Sequence, residues 1–94
     1  MNPPSDQPFK GKIALLTGGT SPLDVALALG LANLGAIVHL AGPSGPLLEQ
    51  LSGEGIRTYA IDISSRPEFV RIVDRINAYH GHIDLLVNAA GINV

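Results

Sequence analysis

The sequence predicts an α/β fold, a doubly wound parallel sheet of about four strands in the order 3-2-1-4, joined by three helices. The first observation behind this prediction is that short apolar runs alternate with helical patterns along the chain after a polar start. The second is that each connection is long enough for a right-handed crossover. The third is residues 13–24, where a buried run leads through two glycines into a helix start. In this arrangement the fourth strand lies at an open edge of the sheet.

The stretch 13–24 organises the rest of the prediction. Residues 13–16 are apolar without polar alternation, which is typical of a strand covered on both faces. The glycine pair that follows permits a tight turn. Ser21 is the expected N-cap, Pro22 the first helical residue, and Asp24 completes a capping box. A strand, a glycine turn and a helix N-terminus together form the usual layout of a phosphate-binding loop.

The remaining elements follow from periodicity and from turn residues. Strands are predicted at 36–41, 56–61 and 83–88, and helices at 22–34, 47–51 and 66–79. The first helix is expected to end at Gly35, and the third to begin after Ser65 in a second capping box and to stop near Gly81. The third helix is the most clearly amphipathic, with an apolar stripe of Phe69, Ile72, Val73, Ile76 and Tyr79.

Length and composition limit the possible functions. Ninety-four residues suffice for one small domain, expected at 9–94 after a flexible, proline-rich tail at 1–8. Charged residues make up only 15% against about 25% in typical domains, which suggests a surface covered by something else. A net charge of −2 without a basic run gives little support for nucleic-acid binding. The absence of cysteine excludes disulfides and leaves the redox compartment undecided. The tail does not resemble a secretory signal, and a cytoplasmic location is expected.

One stretch also permits a membrane interpretation. No Asp, Glu, Lys or Arg occurs from Val25 through Leu48, and a membrane span needs about 20 apolar residues. Gly30, Asn33 and Gly35 interrupt the run, however. A buried helix followed by a strand is therefore favoured, and no membrane partner is expected.

The opening of the chain resembles that of the short-chain dehydrogenases/reductases. Thr17 and Gly18 follow an apolar strand, with an F-x-G-K sequence at 9–12, and the family motif is T-G-x-x-x-G-x-G. The resemblance implies a partial Rossmann-like domain that binds NAD or NADP, with hydride transfer as the parent activity. Pro22 and Asp24 occupy the places of the later glycines. Because proline has no N–H and aspartate is negative, cofactor binding is expected to be weakened there.

Two further positions extend the resemblance. Asp62 and Ile63 follow the third strand, where the family has an aspartate and an aliphatic residue beside the adenine ring. The alternative is that Asp62 is an ordinary loop aspartate. The sequence 88–91 resembles the family's N-N-A-G with alanine as the second residue, and an ordinary strand end is the alternative. By resemblance, the expected cofactor-binding residues are Thr17, Gly18, Gly19, Thr20, Ser21, Leu23, Asp62, Ile63, Asn88, Ala89, Ala90 and Gly91.

Other polar residues give no comparable signal. The end of the second strand carries neither the acidic residue that favours NAD nor an arginine that favours NADP, so the nicotinamide stays open. His39, His80 and His82 show no metal spacing, and no metal site is expected. Ser64 and Ser65 are interpreted as helix-cap residues.

The family's catalytic residues are a Ser and a Tyr-x-x-x-Lys that follow the fifth strand. Neither Tyr59 nor Tyr79 has a lysine four residues later. The chain is therefore expected to be the nucleotide-binding part of such an oxidoreductase, without catalytic residues and inactive alone. Two alternatives remain open: a non-catalytic binding or scaffold module, and one half of a split enzyme whose partner joins the open sheet edge.

Overall fold

A computed structural model of the chain describes residues 7–18, 21–53, 55–62 and 64–88. Strands and helices alternate along it. They are β1 (Ile13–Thr17), α1 (Pro22–Asn33), β2 (Ile37–Gly42), α2 (Pro46–Ser52), β3 (Arg57–Ala60), α3 (Arg66–His80) and β4 (Leu85–Asn88). The described strands form one parallel sheet in the order β3-β2-β1-β4. The predicted fold class and strand order are confirmed, and β3 and β4 are the two edges.

The core lies on both faces of β1, whose five residues are all buried. Alternate residues of a strand point to opposite faces. Ala14 and Leu16 accordingly pack with residues of α1 and α2, whereas Ile13 and Leu15 pack with α3. Full burial of a leucine side chain stabilises the fold by roughly 1.5–3 kcal/mol. Cover on both faces is the physical reason why this strand shows no polar alternation.

The helix starts follow the predicted capping boxes. The Ser21 hydroxyl accepts a hydrogen bond from the Asp24 N–H at 3.2 Å, and the Ser65 hydroxyl accepts one from the Glu68 N–H at 3.4 Å. Both N-cap predictions are confirmed. At the other end of α1 the C-cap is Leu34, and Gly35 is the next residue, with a φ of 99°. A left-handed glycine one residue beyond the cap is a common way for a helix to end.

The apolar run that permitted a membrane interpretation is divided between α1, β2 and the start of α2. α1 has only 12 residues. Across the residues that the structure describes, no helix is both long enough and apolar enough to cross a membrane.

The apolar stripe of α3 is confirmed for Ile72 and Ile76, which are buried against the sheet. Tyr79 differs, because 70% of it is exposed. Its ring lies under the guanidinium of Arg57, 5.4 Å from the ring centroid. At this last turn the stripe has reached the edge strand β3, where the sheet no longer covers it.

Candidate functional site

The carboxyl ends of the four strands lie together at one edge of the sheet. Thr17 is in register with Ala41 of β2 and with Asn88 of β4, while Gly42 is in register with Ala60 of β3. The strand order reverses at β1, since β2 lies on one side of it and β4 on the other. In open α/β sheets, ligands bind in the crevice outside the strand ends at such a switch point. The candidate site is therefore this crevice.

A side-chain hydrogen bond connects the two strands at the switch point. Thr17 is only 4% exposed, and its Oγ1 donates to Oδ1 of Asn88 at 2.8 Å. The two residues are 71 positions apart in sequence. Both were expected at the site by resemblance, but the bond between them depends on strand register. It fixes the separation of the two strand ends that border the crevice.

Gly18, the residue directly after β1, lies against the end of β2. The Gly18 N–H donates to the Ala41 carbonyl at 2.9 Å, and Gly18 has a φ of 146°. A Cβ added at Gly42 would lie 1.7 Å from the Gly18 carbonyl oxygen, so a side chain there would displace Gly18. Gly42 was not among the site residues expected from the sequence. The signal for it is a glycine that ends a buried strand and lies beside another glycine.

The N-terminus of α1 follows Gly18 along the chain and presents the positive end of the helix dipole. Its cap residue, Ser21, is occupied by the bond to Asp24, which is 9% exposed. Leu23 is 77% exposed. Gly19 and Thr20, which precede the cap, lie outside the described residues. The helix start therefore holds an acidic residue in its first turn, as the sequence indicated.

Asp62 lines a shallow hollow of about 360 Å³ between the ends of β2 and β3 and the first turns of α3. Its Oδ1 accepts two hydrogen bonds from Ser64, from the hydroxyl at 2.6 Å and from the N–H at 3.0 Å. These bonds hold the pKa of the Asp62 carboxyl below its usual range. Ser65 caps α3, but Ser64 was wrongly interpreted as a cap, because it binds Asp62 instead. Ile63 and residues 89–91 lie outside the described residues.

Two of the three histidines meet in the structure, which the sequence did not indicate. His39, in the middle of β2 and 2% exposed, places its Nδ1 2.7 Å from the Tyr59 hydroxyl and its Nε2 3.0 Å from Nε2 of His80. Burial, the adjacent His80 and Arg57 lower the pKa of His39 to about 4. His82 lies apart and pairs with Asp84 at 3.0 Å. In the described part of the chain, no group of three or more His, Cys, Asp or Glu could hold a metal ion.

The chain is similar to known oxidoreductases over nearly all of its length. The pattern of the short chain dehydrogenase family matches residues 12–94. A 2-dehydro-3-deoxy-D-gluconate 5-dehydrogenase of Formosa agariphila is 38% identical over 90 residues. That match covers 88% of this chain and 34% of the relative.

Solved structures show the same relation. A citronellol catabolism dehydrogenase of Pseudomonas aeruginosa aligns with a TM-score of 0.80 at 32% identity, covering 95% of this chain and 42% of that protein. A 3-ketoacyl-(acyl-carrier-protein) reductase of Brucella melitensis, solved in complex with NADH, aligns with a TM-score of 0.73 at 28% identity. This match covers 83% of this chain and 33% of the reductase.

The matched region is limited to one part of these proteins. The chain spans about a third of the length of the Formosa relative, 34%. Its alternation of strands and helices and its strand order agree with the family match over residues 12–94. The chain thus belongs to the short-chain dehydrogenase family, of which it carries the N-terminal, Rossmann-like part of the domain.

Proposed function

We propose that this chain binds NAD or NADP in the crevice at the ends of β1, β2 and β4, as the cofactor-binding part of an oxidoreductase. The parent reaction is hydride transfer between the nicotinamide and a carbonyl or alcohol. The observation that carries the proposal is that Gly18 follows β1 at the switch point of the sheet, three residues before the Ser21 cap of α1. Glycine turns between a strand and a helix bind pyrophosphate through backbone N–H groups and the helix dipole.

Each part of the dinucleotide has a proposed place. The pyrophosphate would lie against Gly18 and the start of α1, where Gly42 leaves room for Gly18. The adenine would occupy the hollow beside Asp62, and the nicotinamide ribose would approach Asn88. Both bonds from Ser64 fall on Oδ1 of Asp62, so Oδ2 is the oxygen proposed to accept from the exocyclic amine of adenine. The other residues expected from the family resemblance remain proposed contacts of the dinucleotide: Gly19, Thr20, Leu23, Ile63 and residues 89–91.

The chain's own residues bind and orient the cofactor in this proposal, and the bound nicotinamide supplies the hydride chemistry. Pro22 removes one N–H donor from the helix start, and the Asp24 carboxylate lies in its first turn. Both changes oppose an anionic pyrophosphate, so we expect weaker binding than a glycine-rich turn would give. We also propose that the chain alone does not turn over, because the sequence has no Tyr-x-x-x-Lys to move a proton.

Isothermal titration calorimetry with NAD⁺ and NADP⁺ tests the binding. We compare the native chain with Asp24→Asn and with Asp74→Asn, a matched control that removes the same charge from α3. We expect Asp24→Asn to bind at least one dinucleotide about five-fold or more tightly than the native chain, and Asp74→Asn to match the native chain. In nuclear magnetic resonance spectra, the backbone amide signals of Gly18 and Ser21 should shift on binding. No saturable binding to any of the three proteins would contradict the proposal.

A second candidate, one half of a split enzyme, is favoured by the edge strand β4. β4 pairs only with β1 among the described strands, and 55% of Leu86 is exposed on it. An apolar edge strand of this kind is a surface for a further strand. Tagged purification should then recover a second chain that contains a Ser and a Tyr-x-x-x-Lys. A purified native chain that stays monomeric and recovers no such chain would count against this candidate.

A further inference from the structure

A groove unrelated to the dinucleotide crevice runs along the outer edge of β3. Its volume is about 520 Å³, which is the size of a small-molecule site. His39 lies at its floor, Arg57 and Tyr59 come from β3, and Arg75 and Tyr79 come from α3. It shares no lining residue with the hollow at Asp62. The two sites are therefore separate: one lies at the strand ends and the other beside the edge strand.

The groove is positively charged. Arg57 and Arg75 both line it, and both act electrostatically on the Tyr59 hydroxyl. Among the described residues, no carboxylate lines the groove or lies within salt-bridge distance of either guanidinium. Glu54, in the loop before β3, lies outside the described residues. Two guanidinium groups that line one groove favour an anionic ligand.

We propose that this groove is a binding site for a small organic anion, a phosphate ester or a carboxylate, held between Arg57 and Arg75 with the Tyr59 hydroxyl as a third donor. The planar guanidinium fork matches the oxygens of either group. Arg57 also lies over the Tyr79 ring at 5.4 Å from its centroid, and this contact restrains the guanidinium.

The floor of the groove supplies an internal reporter of binding. Tyr59, His39 and His80 form a chain of two hydrogen bonds, 2.7 and 3.0 Å long. Burial raises the pKa of Tyr59, so the phenol keeps its proton at neutral pH. That proton can point to His39 Nδ1 or out into the groove. An anion at Tyr59 selects the second direction, in which His39 Nδ1–H donates to the Tyr59 oxygen and His80 Nε2–H donates to His39 Nε2.

The test is a nuclear magnetic resonance titration of the native chain with sodium phosphate and, separately, with sodium citrate. Sodium chloride holds the ionic strength constant, because screening alone would change the signals of exposed charges. The variants are Arg57→Gln and Arg75→Gln, with Arg71→Gln as the matched control. Arg71 is also exposed on α3 but does not line the groove, and its substitution removes the same charge.

We expect saturable amide shifts along β3 with at least one of the two anions. Each groove variant should weaken that binding about tenfold or more, while the control should change it less than about twofold. The imidazole nitrogen signals of His39 should move to the Nδ1–H tautomer on saturation. A response to phosphate alone identifies a phosphate ester, and a response to citrate alone identifies a carboxylate.

Three results would overturn the inference. One is the absence of saturable shifts along β3 with both anions at concentrations up to about 20 mM. Another is equal weakening by the Arg71 control, which would indicate non-specific attraction to a basic surface. The third is a response confined to Gly18 and Ser21, which would place the anion in the dinucleotide crevice alone.

Discussion

Lowering the pH should destabilise the fold through one buried imidazole. His39 is 2% exposed, and its pKa in the folded chain is about 4, against an ordinary value of 6.5. Burial is the largest cause, followed by the adjacent His80 and Arg57. Because the folded pKa is the lower one, the unfolded chain takes up the proton first as the pH falls. The stability that depends on neutral His39 is complete above pH 6.5 and is lost as the pH falls through about 4.

The magnitude follows from the two pKa values. Between pH 7.5 and pH 5 they predict a loss of about 2 kcal/mol in the free energy of unfolding. This window lies above the usual range of aspartate and glutamate carboxyls, so their titration contributes little to it. A loss of this size is a large fraction of the stability of a small domain.

The assay is urea denaturation followed by circular dichroism at a series of pH values from 7.5 to 5. His39→Gln should remove most of the pH dependence, whatever its effect on stability at pH 7.5. His80→Gln should reduce the dependence without abolishing it, because burial remains when the neighbouring ring is removed. Asn77→Gln on the exposed side of α3 is the control, because it removes no titratable group and should leave the dependence unchanged.

A native chain whose unfolding free energy is constant across this range would refute the reasoning. So would an unchanged pH dependence in both His39→Gln and His80→Gln.

Three further outcomes are expected. Gly42→Ala should destabilise the chain by about 3 kcal/mol or more and abolish dinucleotide binding, because the added Cβ would overlap the Gly18 carbonyl. Thermal unfolding measures the stability and calorimetry the binding, and a variant as stable as the native chain would contradict this prediction. Thr17→Val should lower the free energy of unfolding, measured with denaturant, by about 1–2 kcal/mol, because the Asn88 side chain loses its hydrogen-bond donor. Thr58→Val on the edge strand is the control, and an equal loss in both variants would contradict the assigned role of the Thr17 hydroxyl. Ser64→Ala should raise the pKa of Asp62, measured by carboxyl carbon shifts, and an unchanged titration would show that the hydroxyl bond does not hold it low.

Local chemistry explains why the fold was predictable from the sequence. The caps at Ser21 and Ser65 are decided within four residues, and the buried character of β1 is visible in its unbroken apolar run. The strand order was expected from the doubly wound fold class, in which the direction of strand addition reverses at β1. The end of the apolar stripe was less predictable, because the exposure of Tyr79 depends on where the sheet stops and not on helical spacing.

The site was predictable in its residue types but not in its contacts. Thr17 and Asn88 were each expected at the crevice, yet their bond required the register of strands 71 residues apart. The meeting of His39 with His80 across 41 residues had no signal in sequence spacing. Gly42 is present in the sequence, but the reason why only glycine fits there, the close approach of the Gly18 carbonyl, appears only in the structure. Contacts of this kind are set by tertiary packing, which periodicity does not report.

The position of β1 between β2 and β4 has a consequence for how the chain reaches its native state. During synthesis, β1 can pair with β2 once residue 42 has emerged from the ribosome, but it cannot complete its pairing with β4 until residue 88 has emerged. Pairings of long sequence separation close slowly, because the intervening chain must first be ordered. For that interval the most buried strand of the domain has one bare edge, and newborn chains could pair with each other there. Pulse-labelled amide exchange during refolding should find the β4 amides protected last.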